Sequence, residues 1–308
     1  MDFASILGIV SLVISIAAIL IVLVFERVKQ EQKITRIEIR LDKFNQSADQ
    51  LLEKSSIIMH ELNNLKVDTR RIQPTGFNII VSKQWRFIEQ IFHYRFEKHI
   101  ISKKISMNYI NDRMRVLLDS GSTIDLVAAE LLENDVKDVH VYSNNVYAAM
   151  HLVGTNQVNF HLFGGHFSER FAAVYSNETN NLIDTLDPDL LILAASAFRF
   201  EQGIMVHSDD IDNIDFKKTA LRAFRRSQNG KLLIAVDPSK FFESIEERRG
   251  VIDSDEWQEI ISEAASRIVI VTSPSPLNFN SKQQTSVATE ISKYKKASVQ
   301  VDDSELTG

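Results

Sequence analysis

The sequence predicts an α/β domain built on a mostly parallel sheet covered by helices, preceded by a transmembrane helix and a coiled-coil helix. Three observations lead there. From Gln84 to about Pro276, short apolar runs alternate with helical patterns, as a sheet buried on both faces requires. Ile6 to Phe25 is uncharged and apolar. Between Ile34 and Leu65, ten positions recur at alternating three- and four-residue steps.

Residues 1–26 read as a transmembrane helix. About 20 apolar residues give roughly 30 Å of helix, the thickness of a hydrocarbon core. A cleaved signal peptide would carry a basic start and a small-residue cleavage site; this chain starts Met1-Asp2-Phe3, and the apolar run continues into Glu26-Arg27. Arg27, Lys29 and Lys33 follow the span, so the positive-inside rule places the N-terminus outside and the rest in the cytoplasm, anchored to the plasma (inner) membrane. Residues 27–73 read as a coiled-coil stalk. Ile34, Ile37, Leu41, Phe44, Ala48, Leu51, Ser55, Ile58, Leu62 and Leu65 form one seam, and a 3.5-residue spacing calls for a second helix, hence self-association. Pro74-Thr75-Gly76 ends the rod.

Residues 74–277 form the α/β domain. Its predicted strands are 115–118, 139–142, 158–163, 190–194, 232–236 and 268–271; its predicted helices are 124–132, 146–152, 217–226 and 255–265. Residues 278–308 turn polar and read as a disordered tail. Across the 308 residues the net charge is −6 and cysteine is absent, which removes any global pull toward nucleic acid and any disulfide or thiolate-zinc chemistry. Lys103-Lys104, Arg225-Arg226 and the lysines between Lys293 and Lys296 read as solvated faces.

Ligands of parallel sheets sit at the carboxyl ends of the strands. There the first loop reads Asp119-Ser120-Gly121-Ser122-Thr123: a glycine for close approach, hydroxyls, and then a helix N-terminus with free amides, which suits a phosphate. Ser122 or Thr123 merely capping the helix is the competing reading. Ser143-Asn144-Asn145 and Gly164-Gly165-His166 follow the next two strands and could orient a polar ligand. No metal-ligand spacing involves His161 or His166, no Gly-x-Gly-x-x-Gly or P-loop occurs, and Asp209, Asp210, Asp212 and Asp215 read as a solvated loop. No cofactor, metal or catalytic residue is expected.

These loops, in this order, resemble a known family. Glu97 to Thr123, "EKHIISKKISMNYINDRMRVLLDSGST", is similar to the entry of the effector-sensing domain of DeoR-type sugar repressors. "VYSNN" from Val141, "LFGG" from Leu162, Lys217, and "LLIAVDPSKF" from Leu232 match further motifs, over roughly Glu97 to Phe242. The resemblance implies the fold of ribose-phosphate isomerases, glucosamine-phosphate deaminases and coenzyme A transferases, a phosphorylated sugar or related metabolite as ligand, and Lys217 and Lys240 among the site residues. Two features depart from the family. The span and rod stand where such repressors carry a helix-turn-helix, so DNA binding is not expected. The acidic, glycine-rich loop after the fourth strand is replaced by Ala194 to Arg199, which removes an isomerase's general base and leaves Arg199 as a possible bidentate phosphate ligand.

The expected function is a non-enzymatic, membrane-anchored sensor. A small phosphorylated metabolite, a sugar phosphate or nucleotide derivative, is bound in the cytoplasm and coupled to oligomer state and membrane output, as in an effector of bacterial defence. The alternatives are a membrane-bound sugar-phosphate isomerase or hydrolase, with Asp119, Asp237 and Glu201 as candidate carboxylates, and a degenerate oligomerising scaffold.

Overall fold

The computed structural model describes residues 93–304 with the exception of 277. They belong to the second of the two units into which the chain divides, Gly76–Gly308. The expected transmembrane helix and coiled-coil stalk lie outside the described residues; among those described, no helix is long and apolar enough to cross a membrane.

The chain enters through α1 (Arg95–Tyr109) and then builds β1 (Arg115–Leu118), α2 (Ser122–Leu131), β2 (Val139–Ser143), α3 (Val146–Leu152) and β3 (Val158–Leu162). A hairpin of β4 (His166–Ser168) and β5 (Ala173–Tyr175) leads to α4 (Asn177–Thr185) and β6 (Leu190–Ala194). Next come β7 (Ala197–Arg199), β8 (Gly203–His207), α5 (Ile211–Arg226) and β9 (Lys231–Ala235). A 3-10 turn (Pro238–Phe241), β10 (Arg248–Gly250), α6 (Ser254–Ala264), β11 (Ile268–Val271), α7 (Ser281–Lys296) and β12 (Gln300–Asp302) complete it.

Seven strands form one parallel sheet in the order β12-β11-β9-β6-β1-β2-β3. The runs that read as uninterruptedly apolar do so because alternate residues serve two cores. Leu117, Leu191, Leu193, Leu232, Ile234, Ile268 and Ile270 pack with residues of α5, α6 and α7. Val116, Leu118, Val139, Val141, Ile192, Leu233 and Val269 pack with residues of α1, α2 and α3. Burying each such side chain contributes on the order of 1.5–3 kcal/mol, so neither face tolerates a polar substitution. The mostly parallel sheet covered by helices is the predicted architecture, and all six predicted strands are present within a residue at each end.

The predicted tail is a correction. Residues 281–296 form α7, opened by a reciprocal Asn280/Gln283 capping box, and 300–302 add the edge strand β12. Tyr294 is fully buried, stacks on Phe198 at 5.0 Å, and donates to the Arg199 carbonyl at 2.8 Å. The helix hides from a composition reading because Val287, Ile291 and Tyr294 are its few apolar anchors among Ser, Thr, Gln and Lys. Lys104 also departs from expectation: it is buried, its ammonium held by Asp302 at 3.0 Å and by the Thr272 carbonyl at 2.9 Å.

Candidate functional site

In chain order the sheet grows outward from β1 to β2 and β3, and then returns to place β6 on the other side of β1. Loops leaving β1 and β6 therefore diverge, and a crevice opens at their carboxyl ends, where open α/β sheets bind ligands. A cavity of about 100 Å³ lies there, lined among others by Ser120 to Thr123 after β1, Ala194 to Ser196 after β6, and Asp237 and Lys240 after β9. That is a few times the roughly 30 Å³ a water occupies in the liquid, room for a phosphoryl-sized group.

The floor is the start of α2. Gly121 precedes the helix at φ +125°, a conformation that side-chain-bearing residues rarely adopt, and no side chain caps the first turn. The helix N-terminus thus keeps its partial positive charge toward the crevice. Lys98, from the first turn of α1, is buried at 4 % exposure and donates to Ser122 Oγ at 3.0 Å. Burial pulls its ammonium down to about 8, with the neighbouring Asp237 acting in the opposite sense and Lys240 adding to the depression. Lys240 and Arg248 line the same cavity and share one carboxylate: Glu243 lies 3.6 Å from Lys240 Nζ and 2.8 Å from an Arg248 nitrogen. Two cations on one anion, beside a helix N-terminus, make a site poised for a further negative group. His207, at the rim, has its imidazole held below the usual range by burial and by Arg170 and Arg248.

The structure brings together Ser120, Gly121, Ser122, Thr123, Lys217 and Lys240 on this one cavity. Asp119 sits behind it, fully buried, as the partner of Lys217; its carboxylate also accepts from the Ala194 amide at 2.9 Å, while Lys217 donates to the Ala194 carbonyl at 2.9 Å. These two residues fasten β1 to β6 beneath the crevice. Ser120 Oγ meets the Tyr175 hydroxyl at 3.3 Å, and burial drives that phenol well above its ordinary range.

Four expectations are corrected. Ser143, Asn144 and Asn145 are fully buried and do not line the cavity; Ser143 Oγ accepts from the Asn145 amide, and Asn145 caps α3 through the amides of Tyr147 and Ala148. Gly164 and Gly165 also lie off the cavity: at Gly165, with φ +139°, any side chain would collide with the Tyr175 carbonyl, and the Gly164 carbonyl accepts from Thr179. The physical reason is local packing: the Asn144 carbonyl accepts from the Val174 amide and the Ala172 carbonyl from the Val146 amide, so the β4–β5 hairpin covers the loop after β2. Arg199 lies outside the cavity lining, and its guanidinium donates to the carbonyls of Phe198, Lys240 and Glu243. Of the acidic cluster read as a solvated loop, Asp212 and Asp215 belong to α5, and Asp210 is buried with Asn213 at 2.8 Å.

The residue that sequence reasoning missed is Lys98. It stood in plain view in "EKHIISKK", but nothing in a helical periodicity says that this lysine points inward rather than to solvent. Arg248 and His207, from the small sheet β10-β8-β7, carry no motif at all. Among the described residues no group of three His, Cys, Asp or Glu could hold a metal ion.

Residues 95–264 match a family model described as the DeoR C terminal sensor domain. A curated Escherichia coli O157:H7 protein, provisionally named the aga operon transcriptional repressor, is 23% identical over 138 residues, covering 45% of this chain and 48% of that protein. The chain thus spans about half the length of the curated relative it matches. Among solved structures, similar ones include the ribose 5-phosphate isomerase from Plasmodium falciparum (16% identity, 46% of this chain and 51% of that one, TM-score 0.32). Others are the eIF2B beta of Chaetomium thermophilum (13%, 46% and 38%, TM-score 0.32) and a transcriptional regulator from Streptococcus pneumoniae TIGR4 (11%, 67% and 81%, TM-score 0.27).

Proposed function

We propose that this chain, which belongs to the DeoR C-terminal sensor domain family, senses a small phosphorylated metabolite, a sugar phosphate by preference, in the crevice between the ends of β1, β6 and β9. One observation carries the reading: a buried lysine, Lys98, meets the uncapped N-terminus of α2 inside a cavity that Lys240 and Arg248 also line. Three cationic side chains and a helix N-terminus gathered on one small cavity favour an anionic guest.

The proposed output is binding rather than turnover. A sugar-phosphate isomerase needs a carboxylate free to move protons at the reacting carbon. Asp119 is engaged by Lys217 and the Ala194 amide, and Glu201 is half exposed and paired with Lys293 at 2.6 Å, outside the cavity lining. Asp237, the carboxylate on the cavity, holds Ser239 through its Oδ1.

The apolar segment 6–25 and the seam from Ile34 to Leu65 extend the proposal. They make the sensor a single-pass membrane protein with a cytoplasmic ligand domain and a self-associating stalk, and no DNA-binding role is proposed. Ligand preference for one association state would shift the oligomer, with membrane perturbation by clustered spans, as in a defence effector, as one form of output.

The test is isothermal titration and turnover assay of the full chain against a panel of sugar phosphates, with Gly121→Ala alongside. The reading expects binding without conversion, weakened at least tenfold in the variant. Conversion of a sugar phosphate establishes the enzyme instead, and no binding across the panel, inorganic phosphate included, leaves an oligomerising scaffold.

A further inference from the structure

Lys217 shares the crevice with a second residue of its own helix. Asn213, in the first turn of α5, lies four residues before Lys217, so the two stand one turn apart on the same face, and both line the cavity. Lys217 is consumed by Asp119 and the Ala194 carbonyl. Asn213 is 4% exposed, and its amide nitrogen donates to Asp210 at 2.8 Å. That bond fixes the orientation of the side chain, because a carboxylate offers only acceptors. The amide oxygen is left buried without a hydrogen-bond partner.

Buried polar atoms are nearly always paired, so an unpaired acceptor on the lining of a ligand cavity describes the ligand. The ionised oxygens of a phosphoryl group do not answer it, since they too only accept. Among the described residues, the other unpaired buried side-chain polar atom on this lining belongs to Arg248: its Nε, a donor. An ammonium on the guest would answer Asn213 alone, and a second anion would answer Arg248 alone. A hydroxyl both donates and accepts, so a guest carrying hydroxyls answers the two. Phe171, Val206 and Ala235 belong to the same lining and offer apolar surface to a short carbon chain.

Resting on the anion site assigned above, we propose that Asn213 determines specificity there: its amide oxygen accepts from a hydroxyl of a phosphate ester whose phosphoryl group sits at Lys98, Lys240 and the start of α2. The ligand class narrows from phosphorylated metabolites to polyol phosphates, short ones in keeping with a cavity of about 100 Å³. Phosphates without a free hydroxyl are disfavoured by what they leave unpaired. A site built around a hydrogen bond to a hydroxyl rejects the analogue that lacks it far more strongly than an apolar pocket rejects a change of size.

The experiment is calorimetric titration of the full-length protein with inorganic phosphate, propyl phosphate and glycerol 3-phosphate, the last two being one carbon skeleton without and with hydroxyls. Wild type is expected to bind glycerol 3-phosphate at least about tenfold more tightly than propyl phosphate. Asn213→Ser keeps a donor for Asp210 but deletes the amide oxygen, and Asn213→Ala deletes both. In each variant the ratio between the two esters is expected to fall to within about twofold of unity. Because the ratio is read inside one protein, a general weakening of binding cancels. A wild-type ratio near unity, or the full wild-type ratio surviving in either variant, overturns the assignment of Asn213 and leaves the anion site standing. Binding of inorganic phosphate but of neither ester does the same. No binding of any of these probes removes the anion site and the proposal together.

Discussion

Consider removing one half of the pair beneath the crevice. Asp119 is fully buried and the Lys217 side chain is 3% exposed. Asp119→Asn keeps an acceptor for the Ala194 amide and leaves the Lys217 ammonium buried without its counter-charge; Lys217→Met leaves the carboxylate in the same position. Breaking a buried pair from one side costs on the order of 3–5 kcal/mol, because a charge stays behind in a low-dielectric site. Removing both leaves only lost hydrogen bonds, about 1–2 kcal/mol. The double variant is therefore expected to be more stable than either single one, with a coupling of roughly 3 kcal/mol or more. Urea unfolding of the three variants, followed by fluorescence of the fully buried Trp257, measures this. For a domain of this size each single variant would melt roughly 6–20 °C lower, at about 2–4 °C per kcal/mol. Single losses that simply add in the double variant, or that stay below about 1 kcal/mol, would refute the assignment of these residues as a structural fastener.

Three further outcomes are expected. Lys98 carries a depressed pKa in the folded chain, about 8 against 10.5, so protonation favours unfolding. The penalty is complete below pH 8 and is relieved as pH rises toward 10.5. Lys98→Met lacks this titration, so its stability relative to wild type should fall by roughly 2 kcal/mol between pH 7 and 9.5, at about 1.4 kcal/mol per pH unit above 8. A constant gap in paired urea titrations contradicts the burial of a charged Lys98. Ending the chain at Pro276 strips α7 from Phe198 and removes Phe279, Val287 and Tyr294 from the core, at about 1.5–3 kcal/mol each; the shortened protein should be recovered as aggregate, whereas a mobile tail would be dispensable. Tyr294→Phe loses one buried hydrogen bond to the Arg199 carbonyl and should cost about 1 kcal/mol in the same urea assay.

The sheet was legible because its central strands are buried on both faces, so 116–118, 190–193, 232–235 and Ile268–Val271 had to be apolar without interruption. The loop at Ser120 to Thr123 was legible for a local reason: strand, glycine and helix start lie within one short stretch. What could not be read was lateral order. β1, β2 and β3 are consecutive in the chain, and their loops look equivalent, yet β6 lies beside β1 and the β4–β5 hairpin folds over the loop after β2, so Asn144 is covered while Ala194, Asp237 and Lys240 close the crevice. Arg199 misled for a related reason. A guanidinium beside a lost acidic loop suggests a ligand contact, but three carbonyls converge on it once the 3-10 turn at Pro238–Phe241 is folded. α7 escaped because a surface helix with three anchors has nearly the composition of a disordered segment.

The most direct test of the account is a crystal structure of the protein grown with a sugar phosphate. The account predicts phosphoryl density against the first-turn amides of α2, within hydrogen-bond reach of the ammonium groups of Lys98 and Lys240. Density in the groove between α7 and the 3-10 turn, or a crevice filled by neighbouring side chains at saturating ligand, would contradict it.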